Sequence, residues 1–164
     1  MNATFTLDQP ITLYLLMKQV TWASNEYFVD GDTVNTMVVR KRNGGASPEI
    51  DIRNSTTTLG VGNDGNLAVD TYGVVTAVFN GASSFLGVNN NAGETVDAGP
   101  GNAGGFTLGT DGGAVPSQFS NIQVKEVLIY SAAHSASTRQ VIYEYLSELG
   151  HRQVNRSTWH RSSA

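Results

Sequence analysis

Apolar and polar side chains alternate at every second residue through most of this chain. The pattern runs over Thr4–Leu7, Ile11–Val20, Glu26–Asp30, Thr36–Lys41, Glu49–Arg53, Asn66–Asp70, Gly73–Phe79, Ser84–Val88, Phe106–Gly109 and Ile122–Tyr130. These segments are rich in β-branched and aromatic residues and read as strands. A weaker strand is expected around Glu94–Asp97, inside a Gly-rich stretch, Asn89–Gly105, that otherwise reads as a long loop. Asp30-Gly31-Asp32, Asn43-Gly44-Gly45, Asn63-Asp64-Gly65, Asn80-Gly81 and Asp111-Gly112-Gly113 supply the residues that tolerate the positive φ of tight turns. Short strands joined this way predict an all-β, antiparallel two-sheet sandwich or barrel. The period changes once. Between Ser135 and Leu149, Val141, Ile142, Tyr145, Leu146 and Leu149 fall on one face of a 3.6-residue repeat, with Arg139, Gln140, Glu144 and Glu148 opposite. This predicts a C-terminal amphipathic helix packed on the sandwich, capped by Ser135 or Ser137 and ended by a left-handed Gly150.

Several stretches carry a more specific pattern. Tyr72–Val88 (YGVVTAVFNGASSFLGV), running into Asn89 and Asn90, resembles the paired central strands of laminin-G-like modules in the concanavalin A-like lectin/glucanase superfamily. Phe106–Gly109, Ser120–Tyr130 and the helix STRQVIYEYLSEL resemble the closing strands and C-terminal helix of the same modules, and Gln9–Gly31 is similar to an earlier strand pair. The resemblance covers most of residues 4–150 and implies a jelly-roll sandwich, a fold that serves lectins, glycanases, adhesion modules and virion proteins alike. Members usually carry a further strand and an aromatic-rich segment before the first pair seen here. A sheet edge is therefore expected to be open, for the C-terminal tail or another chain to cover.

Composition narrows the chemistry. The 164 residues suit one domain with a core large enough to need neither disulfide nor structural metal. With no Cys, thiol catalysis, cysteine zinc sites and iron–sulfur clusters are excluded. Gly, Asn, Ser and Thr fill 62 positions and charged residues only 15%, which suits a surface kept wet by neutral polar groups. A net charge of −4 with 3 Lys argues against nucleic acid as the main partner. No apolar run is long enough to span a membrane and no secretory signal opens the chain, so a soluble protein is expected. The charge is uneven: residues 1–150 carry 7 basic and 14 acidic side chains, whereas 151–164 carry three Arg and no acid. We read 1–150 as the sandwich with its helix and 151–164 as a basic arm whose Arg152, Arg156, Trp159 and Arg161 are of the types enriched in interface hot spots. The plainer reading of the arm is a disordered terminus.

Of the candidate chemical motifs, Glu49-Ile50-Asp51-Ile52-Arg53 resembles the strand motif of the superfamily's laminarinase-like glycosidases, where a nucleophile Glu, an assisting Asp and an acid/base Glu alternate along one strand face. Glu49 and Asp51 match, but Arg53 stands in the place of the proton donor. The preferred reading is structural, with Ile50 and Ile52 inward and Glu49, Asp51 and Arg53 a charge-paired face in solvent. Gly60–Gly65 and Gly99–Gly104 both fit G-x-G-x-x-G, yet neither leads into a helix that would hold a pyrophosphate. Asp30, Asp32 and Asn35 share a turn and are candidate ligands for Ca2+ or a glycan, although turn chemistry alone accounts for them. Asp64, Asn66 and Asp97 are poorer metal candidates. His134, His151 and His160 have no zinc-site spacing, and the Asn2, Asn54 and Asn155 sequons read as coincidence in an Asn/Ser/Thr-rich chain. Trp22, Tyr27, Tyr72 and Phe85 are a conceivable sugar-stacking platform, with core packing the preferred role.

These readings add up to a non-enzymatic structural or adhesion module with no cofactor, acting through protein contacts as a homo-oligomer or as a capsid-decoration or tail component on a phage virion surface. The alternative is a lectin-like carbohydrate-binding module, with or without Ca2+, reading glycans through Asp30–Asn35 and Asn89–Gly105. If not on a virion, the protein is expected outside the cell by a route that uses no signal peptide.

Overall fold

The computed structural model describes residues 2–42, 44–54 and 67–151. Ten strands and a helix follow in the order β1 (Asn2–Leu7), β2 (Ile11–Gln19), β3 (Tyr27–Asp30), β4 (Val38–Lys41), β5 (Ile50–Arg53), β6 (Tyr72–Phe79), β7 (Ser84–Val88), β8 (Glu94–Val96), β9 (Ala103–Leu108), β10 (Ile122–Tyr130) and α1 (Ala136–His151). They form two five-stranded sheets of order β1-β9-β3-β4-β5 (sheet A) and β10-β2-β6-β7-β8 (sheet B). Every ladder is antiparallel. The expected two-sheet β-sandwich with a C-terminal helix is what the chain forms.

Alternation decides the core. Ile11, Leu13, Leu15 and Met17 of β2 point between the sheets with Val75, Ala77 and Phe79 of β6, meeting Phe28, Val39, Ile50 and Ile52 from sheet A. The intervening Tyr14 and Leu16 are no less buried, because α1 lies over the outer face of sheet B and covers them with Val74 and Leu146. A strand with both faces covered has no polar side to show, hence the near-continuous apolar run ITLYLLM in β2. Burying each such side chain contributes roughly 1.5–3 kcal/mol.

Ser135 caps α1: its Oγ accepts from Thr138 N at 3.2 Å and its carbonyl from Arg139 N at 2.9 Å. Three expectations need correction. Gly150 is helical, and its carbonyl accepts a bond from Lys125 Nζ at 3.0 Å, so a lysine from β10 supports the end where a left-handed glycine was expected. The helix face is also rotated: Ile142, Tyr143, Leu146 and Leu149 pack on the sheet, while Val141 and Tyr145 are 62% and 52% exposed. Leu67–Asp70 makes a turn rather than a strand, closed by Thr71 N bonding to Ala68 O at 3.2 Å.

Candidate functional site

The Asp30 turn is built around its carboxylate. Oδ1 accepts from Gly31 N at 2.9 Å and Thr36 N at 3.0 Å, and Oδ2 from Asn35 N and Gly112 N, both at 3.0 Å. Four donors use the lone-pair sites of a carboxylate, and Asp30 is fully buried. Burial pushes this carboxyl above its ordinary value, against the pull of the same four N–H groups. Asp30 therefore organises the β3–β4 and β9–β10 loops and offers no oxygen to a cation. Asn35 Oδ1 accepts from Tyr27 Oη at 3.1 Å, and Asp32 packs beside Gly104, so the three candidate residues do not converge on one point. No group of three or more His, Asp or Glu suited to a metal occurs among the described residues.

Beside this turn, the outer face of sheet A carries a polar network. Register places Tyr27 beside Arg40 and Arg40 beside Asp51 across β3, β4 and β5. Arg40 Nε donates to Asp51 Oδ1 at 2.8 Å and Nη2 to Oδ2 at 3.3 Å, a two-point pair, and Nη1 donates to Asn25 Oδ1 at 2.6 Å. Arg53 Nη2 donates to Tyr27 Oη at 3.1 Å. Burial opposes the charge on Arg40, but the bond and charge of Asp51 outweigh it and hold the guanidinium above its usual range. Ile50 and Ile52 do face the core, as expected, but Asp51 is fully buried instead of lying in solvent. Glu49 stands apart, half-buried and paired with Arg42 at 3.2 Å. The arrangement ties Asp51 to a cation and puts Arg53 where a proton donor would have to stand.

The opposite face of the molecule is open. Between α1 and the outer face of sheet B runs a groove made of two adjoining hollows of about 240 and 530 Å3, which share Asn89 and Tyr143. Val74, Leu16, Thr76 and Phe85 form its floor. One bank is the α1 stripe Arg139, Gln140, Tyr143 and Ser147, and the other is the Asn89-Asn90-Asn91 turn after β7. Phe85 lies flat because two glycines make room for it: a Cβ on Gly93 would meet its ring at 2.3 Å and one on Gly87 at 2.9 Å. The Arg139 guanidinium sits 3.9 Å from the Phe85 ring centroid, and Lys125 Nζ lies 4.1 Å from that of Tyr72. Asn89 Oδ1 accepts from Val74 N at 3.1 Å, fixing its amide at the centre of the groove.

At the head of α1, the Tyr14 hydroxyl bonds His134 Nδ1 at 2.9 Å, with the Tyr130 ring 4.5 Å from the imidazole. Burial pushes Tyr14 up to about 12, so the hydroxyl keeps its proton. Burial and the nearby Arg139 charge hold His134 below its ordinary value.

The four aromatics considered as a platform are thus divided. Tyr27 is buried on the outer face of sheet A, and Trp22 is tied to Glu49 O at 3.4 Å beside the same sheet. Tyr72 and Phe85 line the groove on sheet B. Arg152, Arg156, Trp159 and Arg161, like Asp64 and Asn66, lie outside the described residues.

No family model matches the chain, and no curated protein matches it. Solved structures do. A Trypanosoma rangeli sialidase bound to 2,3-difluorosialic acid superposes with a TM-score of 0.58 at 12% identity, over 85% of this chain and 23% of that one. A heptameric SAP-like pentraxin from Limulus polyphemus superposes with a TM-score of 0.51 at 13% identity, over 83% of this chain and 70% of the other. The fold is a jelly-roll β-sandwich. This chain spans about a quarter of the sialidase it resembles.

Sequence reasoning placed Tyr72, Phe85 and the Asn89 loop among its candidates but not the groove they share with α1. The available signal was the i, i+4 run Arg139, Tyr143 and Ser147, a polar–aromatic stripe beside the apolar face of the helix.

Proposed function

We propose that this chain is a non-enzymatic, lectin-like carbohydrate-binding module whose binding surface is the groove between α1 and sheet B. The observation that carries this reading is the makeup of that groove. The Tyr143 ring stands beside neutral amides from Asn89, Asn90 and Gln140 in a concavity of small-ligand size, with Phe85 and Tyr72 carrying the Arg139 and Lys125 head groups. Sugar rings present apolar C–H faces that pack on aromatics and hydroxyls that pair with amides. The non-enzymatic part is supported by the glycosidase-like strand: retaining chemistry needs two free carboxyls about 5–5.5 Å apart, whereas Asp51 is held by Arg40 and Arg53 replaces the donor. A glycan array probed with the full chain, with and without chelator, tests the reading. Binding that is equal under both conditions and falls at least tenfold in Tyr143→Ala is expected, with no reducing sugar released from β-glucans. A blank array under both conditions, or sugar release that stops in Glu49→Gln, would overturn it.

Its setting is proposed from charge. An acidic body followed by Arg152, Arg156, Trp159 and Arg161 suits a module held in an assembly, as a homo-oligomer or at the surface of a particle such as a phage virion. Native mass spectrometry of the full chain and of a form ending at His151 checks this. A full-length monomer unaffected by the truncation would sink it.

A further inference from the structure

The charge of the groove goes further than its aromatics. The body of this protein is acidic, yet among the described residues no Asp or Glu lines either hollow, and each contains a cation: Arg139 in one, Lys125 in the other. Two acids beside the lining are engaged elsewhere. Asp70, next to the lining residue Thr71, is paired with Lys18 at 2.7 Å, and Glu144 accepts from Gln140 Nε2 at 2.8 Å. The two lining cations keep donors to spare. Arg139 donates from Nη1 to His134 O at 3.0 Å, one of the five N–H groups of a guanidinium, and Lys125 donates one of its three to Gly150 O. Those backbone bonds, together with the Phe85 and Tyr72 rings beneath, hold both head groups in place, so little side-chain entropy is left to lose when a ligand arrives. Arg139 bonds the His134 carbonyl just before α1 and Lys125 the Gly150 carbonyl near its end, so the two positive points stand toward opposite ends of a 16-residue helix roughly 24 Å long. That is the reach of an oligosaccharide rather than of a single sugar.

We infer that this groove binds an anionic oligosaccharide, with Arg139 and Lys125 each meeting a carboxylate or sulfate of the sugar chain while Tyr143 and Asn89 hold the ring between them. The inference rests on reading the groove as a carbohydrate site, and the experiment separates the two. The full chain is titrated calorimetrically at low salt with three probes: oligogalacturonate, its methyl-esterified neutral counterpart, and a sulfated chondroitin oligosaccharide. Oligogalacturonate or the sulfated probe should bind at least tenfold more tightly than the neutral ester and weaken steeply as salt is raised. Arg139→Gln and Lys125→Gln should each weaken the anionic ligand about fivefold or more, and weaken it more than the neutral ester. Arg139→Lys and Lys125→Arg should retain most of it, which guards against variants that merely fold poorly. Amide shifts on titration should centre on Asn89–Asn91 and Tyr143.

Whichever anionic probe binds better identifies the sugar's acid group and supports the proposal. Equal affinity for the anionic and esterified sugars overturns the inference and leaves the carbohydrate site standing. No binding of any probe overturns both. Anionic binding that survives the double Gln variant but disappears when the chain ends at His151 assigns it to the basic tail and overturns the groove.

Discussion

Replacing Asp51 by Asn tests how the polar face of sheet A is built. The perturbation removes one charge from a pair whose side chains are 0% exposed for Asp51 and 5% for Arg40, joined at 2.8 and 3.3 Å. At an effective dielectric of about 20, opposite charges some 4 Å apart attract by about 4 kcal/mol, and breaking a buried pair costs about 3–5 kcal/mol because the remaining ion has no compensation. Asn keeps one acceptor for Arg40 Nε, so a loss of about 3 kcal/mol is expected. In a domain of this size that corresponds to a fall in Tm of about 6–12 °C. Guanidinium denaturation followed by far-UV circular dichroism reads the change as a shifted midpoint at constant slope. The double variant Arg40→Met/Asp51→Leu should recover most of the loss, since neither ion then has to be desolvated. A change below about 1 kcal/mol in Asp51→Asn, the size seen for exposed pairs, would refute the reasoning by showing that water reaches the pair.

Two further outcomes follow from the packing around α1. Leu146→Ala, at a fully buried position, should cost about 2–5 kcal/mol, whereas Val141→Ser, on the exposed side of the same helix, should stay within about 0.5 kcal/mol; denaturant midpoints of the two variants check this. His134 has a native pKa below its unfolded value, so its contribution is fully present above about pH 6.5 and is lost as pH falls through the lower native value. Melting temperatures taken from pH 7.5 down to 5 should therefore drop, and should drop less steeply in His134→Gln.

Much of the fold was legible because its signals are local. Period-2 alternation in Ser84–Val88 and Ile122–Tyr130 matches the strands residue for residue, and Ser135 caps the helix as its side chain predicts. The edges of other strands moved by one to three residues, where ladder partners rather than propensity decide the ends: β9 begins at Ala103 because Leu7 of β1 lies opposite it. The candidate sites were less legible. Asp30 looks the same in sequence whether its oxygens face a cation or four backbone amides, and only the approach of Gly112, 82 residues away, completes the set.

The sequence alone determined that this chain makes short antiparallel strands and one helix, which side of each strand is apolar, and that thiol and cysteine-metal chemistry is excluded. Those follow from side-chain periodicity and composition, which need no partner. Only the tertiary structure decided which outward faces stay wet. Asp51, Tyr14 and Phe85 all project away from the sandwich core, yet the first is buried with Arg40, the second lies under α1, and the third floors an open groove. The reason is physical: alternation sets the direction of a side chain over two residues, but its solvent exposure depends on what distant chain is laid across it.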